Sequence, residues 1–236
     1  LLQMESPDYL FITPQLNPAL LQLSANVSPQ TRTVLLTYDV EAVRISRLAE
    51  AHKGLAGYAW RLETFRAERF ERENIRLFDG VIAVSELDRM IMIGRYGLDS
   101  ERVLTIENSV DIDYFSFKQR VVNTDRPNIV FVGNLAYWPN HDAAIRLLRE
   151  IMPLVRARVP LARAWVIGER PSRELQGFDD SNLNFVTGKV DDVRPFLQQA
   201  AVACIPLRAG SGTKLKVLEA LSTGAPVVCT SIASEG

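Results

Sequence analysis

The residue types best suited to chemistry are concentrated in PLRAGSGTKLKVLEALSTGAPVV, positions 206 to 228. An apolar, strand-like run (ACIP) ends there in a loop holding Gly210 and Gly212, and the loop runs directly into a helical pattern that begins at Thr213 and Lys214. Glycines let backbone N–H groups approach an anion without a Cβ in the way, and the positive end of the helix dipole lies at the same point. Arg208 and Lys214 flank the loop, one offering a bidentate fork and the other a point charge, the pair a diphosphate requires. An ordinary solvated strand–helix loop would use the same glycines only to turn; the two flanking cations favour anion binding. Glu219 follows Leu215 by four residues, too deep in the helix to cap it. It is placed to accept hydrogen bonds from the vicinal hydroxyls of a ribose whose diphosphate sits at the helix start, the plain alternative being a solvent-facing carboxylate. Leu218 and Leu221 are expected on the core side of this helix.

Such a loop needs a parallel sheet behind it, and the rest of the chain supplies the pattern. DYLFI (8 to 12), TVLLTY (33 to 38), VIAVS (81 to 85), RVLTI (102 to 106), NIVFVG (128 to 133), AWVIG (164 to 168), NFVTG (184 to 188), ACIP (203 to 206) and PVVCT (226 to 230) read as strands. A Pro- and Asn-containing stretch between the first two has room for a short helix. From Glu41 to Phe78 charges alternate in sign, interrupted by Gly54 and Gly57, which predicts two helices with paired, solvated faces and a hinge between them. A basic face docking on anionic lipid is the functional alternative, opposed by the interleaved acidic residues. Ser85 and Asp88 mark a helix start. Ile145, Leu148, Met152, Val155 and Val159 give a further helix one apolar stripe, with Pro153 expected to kink or break it. Strand and helix alternation predicts an α/β fold whose sheets are covered on both faces.

The 236 residues, 47% hydrophobic and 23% charged, are enough for two cores. A net charge of -1 gives no field that would draw nucleic acid. Cys204 and Cys229, each inside an apolar run, read as small core residues of a reduced, cytosolic protein. No run approaches the roughly 18 apolar residues that span a bilayer, nor does the start resemble a secretory leader. The chain opens without Met and closes just after PVVCT, so truncation at both ends is expected.

The 206 to 228 segment resembles the donor-site signature of group 1 glycosyltransferases, the retaining GT-B family 4, in the branch reading G-x-G-T-[KR]-x-K-x-L-E-A. FVGNLAYWPNHDA (131 to 143), VTGKVDDVRPFL (186 to 197), DGVIAVSELD and IENSVDIDYF are similar to other pieces of that family. The resemblance implies two Rossmann-like domains. Residues 1 to 120 form the acceptor side, 121 to 126 the linker and 127 to 236 the donor domain, both domains incomplete. It further implies a nucleotide-sugar donor, a saccharide or lipid-linked acceptor, retention at the anomeric carbon, no metal, and a cytoplasmic enzyme that can touch the inner membrane face peripherally.

By the same resemblance Glu219 is the second glutamate of the family's E-x7-E element, and Ser211 stands where the first would be. Gly133 and Asn134 match the turn past which the diphosphate runs, and the family's basic pair just after that turn is absent. Arg208 and Lys214 are then the candidates for charge neutralisation, Val190 to Val193 offer backbone groups to the base, and Gly210, Gly212, Thr213 and Leu215 complete the donor set. TYDVEAVR (37 to 44) resembles the stretch H-[DN]-V-E with Tyr38 for the histidine. That makes Asp39 a candidate catalytic group and Glu41 the reserve, against the simpler reading of Asp39 as a helix N-cap. Two other functions stay open: a non-hydrolysing nucleotide-sugar epimerase, and a catalytically silent subunit that binds nucleotide or a partner enzyme. A Rossmann dehydrogenase is disfavoured because GNLAYW contains no G-x-G-x-x-G.

Overall fold

The computed structural model describes residues 7 to 13, 28 to 119 and 122 to 236. Most of the stretch read as a short helix, and residues 120 and 121 where the linker begins, lie outside them. The chain groups into two compact units. The first holds residues up to Asn108 together with Ala209–Thr213 and Glu235–Gly236, and the second holds Ser109–Arg208 and Lys214–Ser234.

In the first unit, β1 (Tyr9–Ile12), β2 (Arg32–Leu36), β3 (Gly80–Ala83) and β4 (Val103–Thr105) pair in that order, all parallel. Two helices connect β2 to β3, α1 (Glu41–Ala51) and the 22-residue α2 (Gly54–Ile75), as the charge alternation predicts. On the outer side of α2, Arg66 pairs with Glu63, Arg69 with Glu73 and Arg72 with Glu68. The N-cap of α1 is Val40, which has no side chain to offer. Glu71 of α2 takes over, its carboxylate accepting from the N–H groups of Glu41 (2.8 Å) and Ala42 (3.0 Å) and from the buried Tyr96 hydroxyl. Ser85 caps α3 (Glu86–Tyr96), accepting from Asp88 N–H at 3.1 Å and donating to its carboxylate at 2.8 Å. The core is Ile12, Leu35, Val40, Phe78, Val81, Met92, Tyr96 and Val103.

In the second unit, β5 (Asn128–Val132), β6 (Arg163–Ile167), β7 (Asn184–Val186), β8 (Ala200–Ile205) and β9 (Val227–Cys229) form a parallel sheet in the order β7-β6-β5-β8-β9. Side chains alternate along β5, so Ile129 and Phe131 enter one core with Leu147, Met152, Val166 and Cys204. Val130 enters the other, with Leu197, Ala203, Ala220 and the Trp165 ring, which stacks on Phe185 at 4.1 Å.

The helix after β5 is built in pieces: α4 (Trp138–Arg146), a π turn at Leu147–Ile151 and α5 (Met152–Arg156). Pro153 has no N–H to give the carbonyl four residues back, and the chain answers by widening, with Met152 N–H bonded to Leu147 O. Ile145, Leu148, Met152 and Val155 pack into the core, while Val159 falls beyond the helix end and is exposed. Two short helices, α6 (Arg173–Gln176) and α7 (Arg194–Gln199), precede β7 and β8, and α8 (Leu215–Ser222) follows β8. Among the described residues no helix is long and apolar enough to cross a membrane.

Candidate active site

In the second unit strand order reverses at β5, whose neighbours β6 and β8 lead outward in opposite directions. The crevice beyond the carboxyl ends of strands at such a reversal is where open α/β sheets bind ligands. Three turns line that edge and are tied together. Gly133 N–H donates to Ile167 O at 3.0 Å, Gly168 N–H to Gly188 O at 3.0 Å, and Leu135 N–H to Glu169 O at 3.1 Å. Gly133 and Asn134 form the first of these turns; Val190 lies just past the third, its side chain packed on the core.

The helix after β8 begins one residue later than expected, at Leu215 with Lys214 as N-cap. That sets which side chains face the sheet. Ala220 is fully buried, Val217 packs on the core, and Leu215 and Leu221 are exposed. Leu221 therefore lies opposite to its expected side, because the helix phase runs through Val217 and Ala220. Glu219 is half-buried, and burial raises its carboxyl above the usual range while Lys216 opposes the rise. Lys214 is largely buried and Arg208 exposed. The Arg208 guanidinium closes on Asp142 of α4, a bidentate pair that raises the Arg208 pKa further.

One cation that the residue types alone left unassigned stands at the edge. Lys216 Nζ donates to Asn140 Oδ1 at 2.6 Å and lies 4.7 Å from the centre of the Phe131 ring. Asn140, itself buried, donates to the carbonyl of Asn134 at 2.9 Å. A Cβ on Gly133 would come within 2.7 Å of the Lys216 ammonium. Burial pushes the Lys216 pKa down to about 8, with Lys214 adding to the fall and Glu219 resisting it.

The remaining candidates gather in the first unit. Ser211 Oγ donates to Asp39 Oδ2 at 2.7 Å. Asp39 lies one residue before the Val40 N-cap, so the capping role expected of it falls to Glu71. Glu41 pairs with Arg44, and Tyr38 is exposed. Arg47 of α1, read from sequence only as part of a solvated face, donates to Gly210 O at 2.5 Å and pairs with Glu235 at 2.7 Å. Thr213 Oγ1 donates to Val84 O at 3.3 Å. Gly212 has φ +64, and a Cβ there would lie 2.6 Å from Tyr38 O, so glycine is required twice over. Among the described residues no group of three or more His, Cys, Asp or Glu side chains is clustered as a metal site. Both cysteines are free, and burial pushes the Cys204 thiol up to about 11.

Residues 126–236 match the family model for "Glycosyl transferases group 1". A stretch of 161 residues is 26% identical to an uncharacterized 44.6 kDa protein of the cps region of Klebsiella pneumoniae, covering 64% of this chain and 41% of that protein. The chain is also 27% identical over 160 residues to the phosphatidyl-myo-inositol mannosyltransferase of Mycobacterium tuberculosis, covering 65% of this chain and 40% of the relative. The matched stretch thus spans about two-fifths of the length of these curated relatives. Among solved structures, TarM superposes with a TM-score of 0.68 at 17% identity, over 96% of this chain and 41% of TarM. HepE of Anabaena in complex with UDP and glucose superposes with a TM-score of 0.60 at 15% identity, over 97% of this chain and 60% of HepE. The chain thus has the α/β, parallel-sheet fold of the GT-B glycosyltransferases, and its residues 126–236 match the group 1 glycosyl transferase domain.

Proposed function

We propose that the protein transfers a sugar from a nucleoside-diphosphate sugar to an acceptor hydroxyl with retention at the anomeric carbon. The observation that carries this reading is the carboxyl edge of the second sheet. There the Gly133–Asn134 turn and the start of α8 meet where strand order reverses, with Glu219 one turn into the helix. HepE's complex with UDP and glucose supports a nucleotide-sugar donor. The mycobacterial phosphatidyl-myo-inositol mannosyltransferase supports a lipid-linked acceptor; a saccharide acceptor and peripheral contact from the cytoplasm belong to the same proposal.

In the proposed reaction the bond from the anomeric carbon to the diphosphate oxygen breaks, with its electron pair leaving on the diphosphate. The acceptor oxygen bonds to that carbon, and its proton passes to the departing phosphate oxygen. Cationic side chains and helix N–H groups stabilise the charge that builds on the leaving group. Glu219 holds the ribose hydroxyls, and backbone groups near Val190 meet the base.

A silent nucleotide-binding subunit is the second reading, favoured by one observation. Ser211 replaces a family glutamate and is occupied by Asp39. A thermal-shift panel of UDP, GDP, ADP, TDP and CDP on the full-length protein, followed by product analysis with the matching nucleotide sugar, separates the alternatives. A ligand at 100 times its Kd adds about 2.7 kcal/mol, a rise of roughly 5 to 10 °C for a domain of this size. Selective stabilisation with acceptor-dependent release of nucleoside diphosphate is expected. An altered nucleotide sugar formed without acceptor would indicate an epimerase, and binding without turnover would indicate the silent subunit.

A further inference from the structure

We propose that Lys216 supplies the positive charge that meets the donor's phosphates at the Gly133–Asn134 turn, a task the residue types alone assign to Arg208 with Lys214. The inference rests on the nucleotide-sugar reading of this edge and names the group that does the work there.

Four observations carry it. Lys216 lies at the carboxyl end of β5, the strand at which order reverses, with its ammonium where a Gly133 side chain would otherwise project. Its position is fixed from two sides, by Asn140 Oδ1 and by the Phe131 ring, and Asn140 is anchored in turn to the carbonyl of the same turn. Among the described residues Lys216 forms no ion pair, its one hydrogen bond going to a neutral amide. Arg208, by contrast, has its fork filled by Asp142. A half-buried ammonium whose hydrogen bond goes to a neutral amide still favours an anion, and at a ligand-binding edge a phosphate meets that demand.

The free protein holds this ammonium at a cost, which is why its pKa falls to about 8. The charged groups acting on it are Glu219 and Lys214; Asn140 of α4 and Phe131 of β5 are neutral. A phosphate at Nζ reverses the shift, so binding above pH 8 takes one proton from solvent. The terminal phosphate is already fully ionised at that pH and adds no titration of its own.

The test is isothermal titration of full-length wild type, Lys216→Met and Lys216→Arg, using the nucleoside diphosphate the wild type selects and the corresponding nucleoside, from pH 7 to 9.5. Wild-type affinity for the diphosphate is expected to fall about tenfold per pH unit above 8. Lys216→Met should lose tenfold or more in diphosphate affinity at pH 7, keep its affinity for the nucleoside, and show no fall with pH. Lys216→Arg should bind the diphosphate at every pH, because guanidinium stays charged throughout the range. Undiminished diphosphate binding by Lys216→Met, or a flat wild-type profile, overturns the assignment while leaving the transferase reading intact. Equal loss of nucleoside and diphosphate also overturns it, since the lysine would then only shape the turn. If Lys216→Met does not fold, the wild-type profile and Lys216→Arg decide alone. No diphosphate binding by wild type at all overturns the reading of the edge itself, and the inference with it.

Discussion

Lys214 and Lys216 are two residues apart in one motif, and no property of the letters separates them. The helix phase does. Because α8 begins at Leu215, Lys216 turns onto the Phe131 ring and Lys214 stays at the helix mouth as N-cap. Lys214→Ala should therefore reduce the turnover rate more than donor affinity, since a charge at the helix mouth acts most as negative charge develops on the leaving diphosphate. Steady-state kinetics with the matched nucleotide sugar measures this as a fall in kcat of a hundredfold or more with KM changed less than threefold. An unchanged kcat would remove Lys214 from the reaction. Glu219→Gln should act on the donor alone. If Glu219 holds the ribose as proposed, replacing its ion by a neutral amide should weaken the nucleoside part of binding, read as lower affinity for nucleoside and diphosphate alike. A loss confined to the diphosphate would place Glu219 away from the ribose. Glu219 is singled out in the sequence by its spacing after the glycine loop, and the fold places it half-buried one turn into α8. Lys216 was not, because its value comes from Asn140 and Gly133, 76 and 83 positions away in the chain.

Elements announced by composition were found where expected, but a cap supplied by a distant side chain was not visible in the sequence. The strands read from apolar runs are present, since a buried parallel strand must be apolar on both faces. The start of α3 was visible in Ser85 and Asp88 because the cap and its partner are three residues apart. α1 starts at Glu41 as read, but the cap expected from Asp39 comes from Glu71, thirty residues on and in the middle of a charged helix that otherwise reads as solvent face. Replacing Glu71 by Ala should leave two helix N–H groups and the buried Tyr96 hydroxyl without their acceptor. The expected cost is about 1 to 3 kcal/mol. Chemical denaturation should show the midpoint lowered with an unchanged slope. Gln in place of Glu, which keeps one acceptor oxygen, should recover part of the loss. No measurable destabilisation would mean that water caps α1 equally well.

At the scale of the molecule, the net charge of -1 leaves no long-range field to gather the anionic donor of the proposed reaction, whose charge would then be met by a few fixed cations at one edge. Lys214 and Lys216 are both near that edge, on one short helix set behind a sheet whose order reverses there. Enzymes that transfer phosphate-linked groups meet this demand with a divalent ion or with protein cations, and the two solutions respond differently to chelation. Carboxylates are what hold a hard divalent ion. Here the carboxylate of Asp142 is taken by Arg208 and that of Asp39 accepts from Ser211, while the groups at the Gly133 turn are an amide and an ammonium. The proposed transfer by the full-length protein is therefore expected to persist within about twofold after dialysis against EDTA, and added Mg2+ or Mn2+ should not raise it further. Loss of activity on chelation, restored by one of these ions, would mean that the donor arrives as a metal complex. The cations of α8 would then orient the diphosphate and not carry its charge alone.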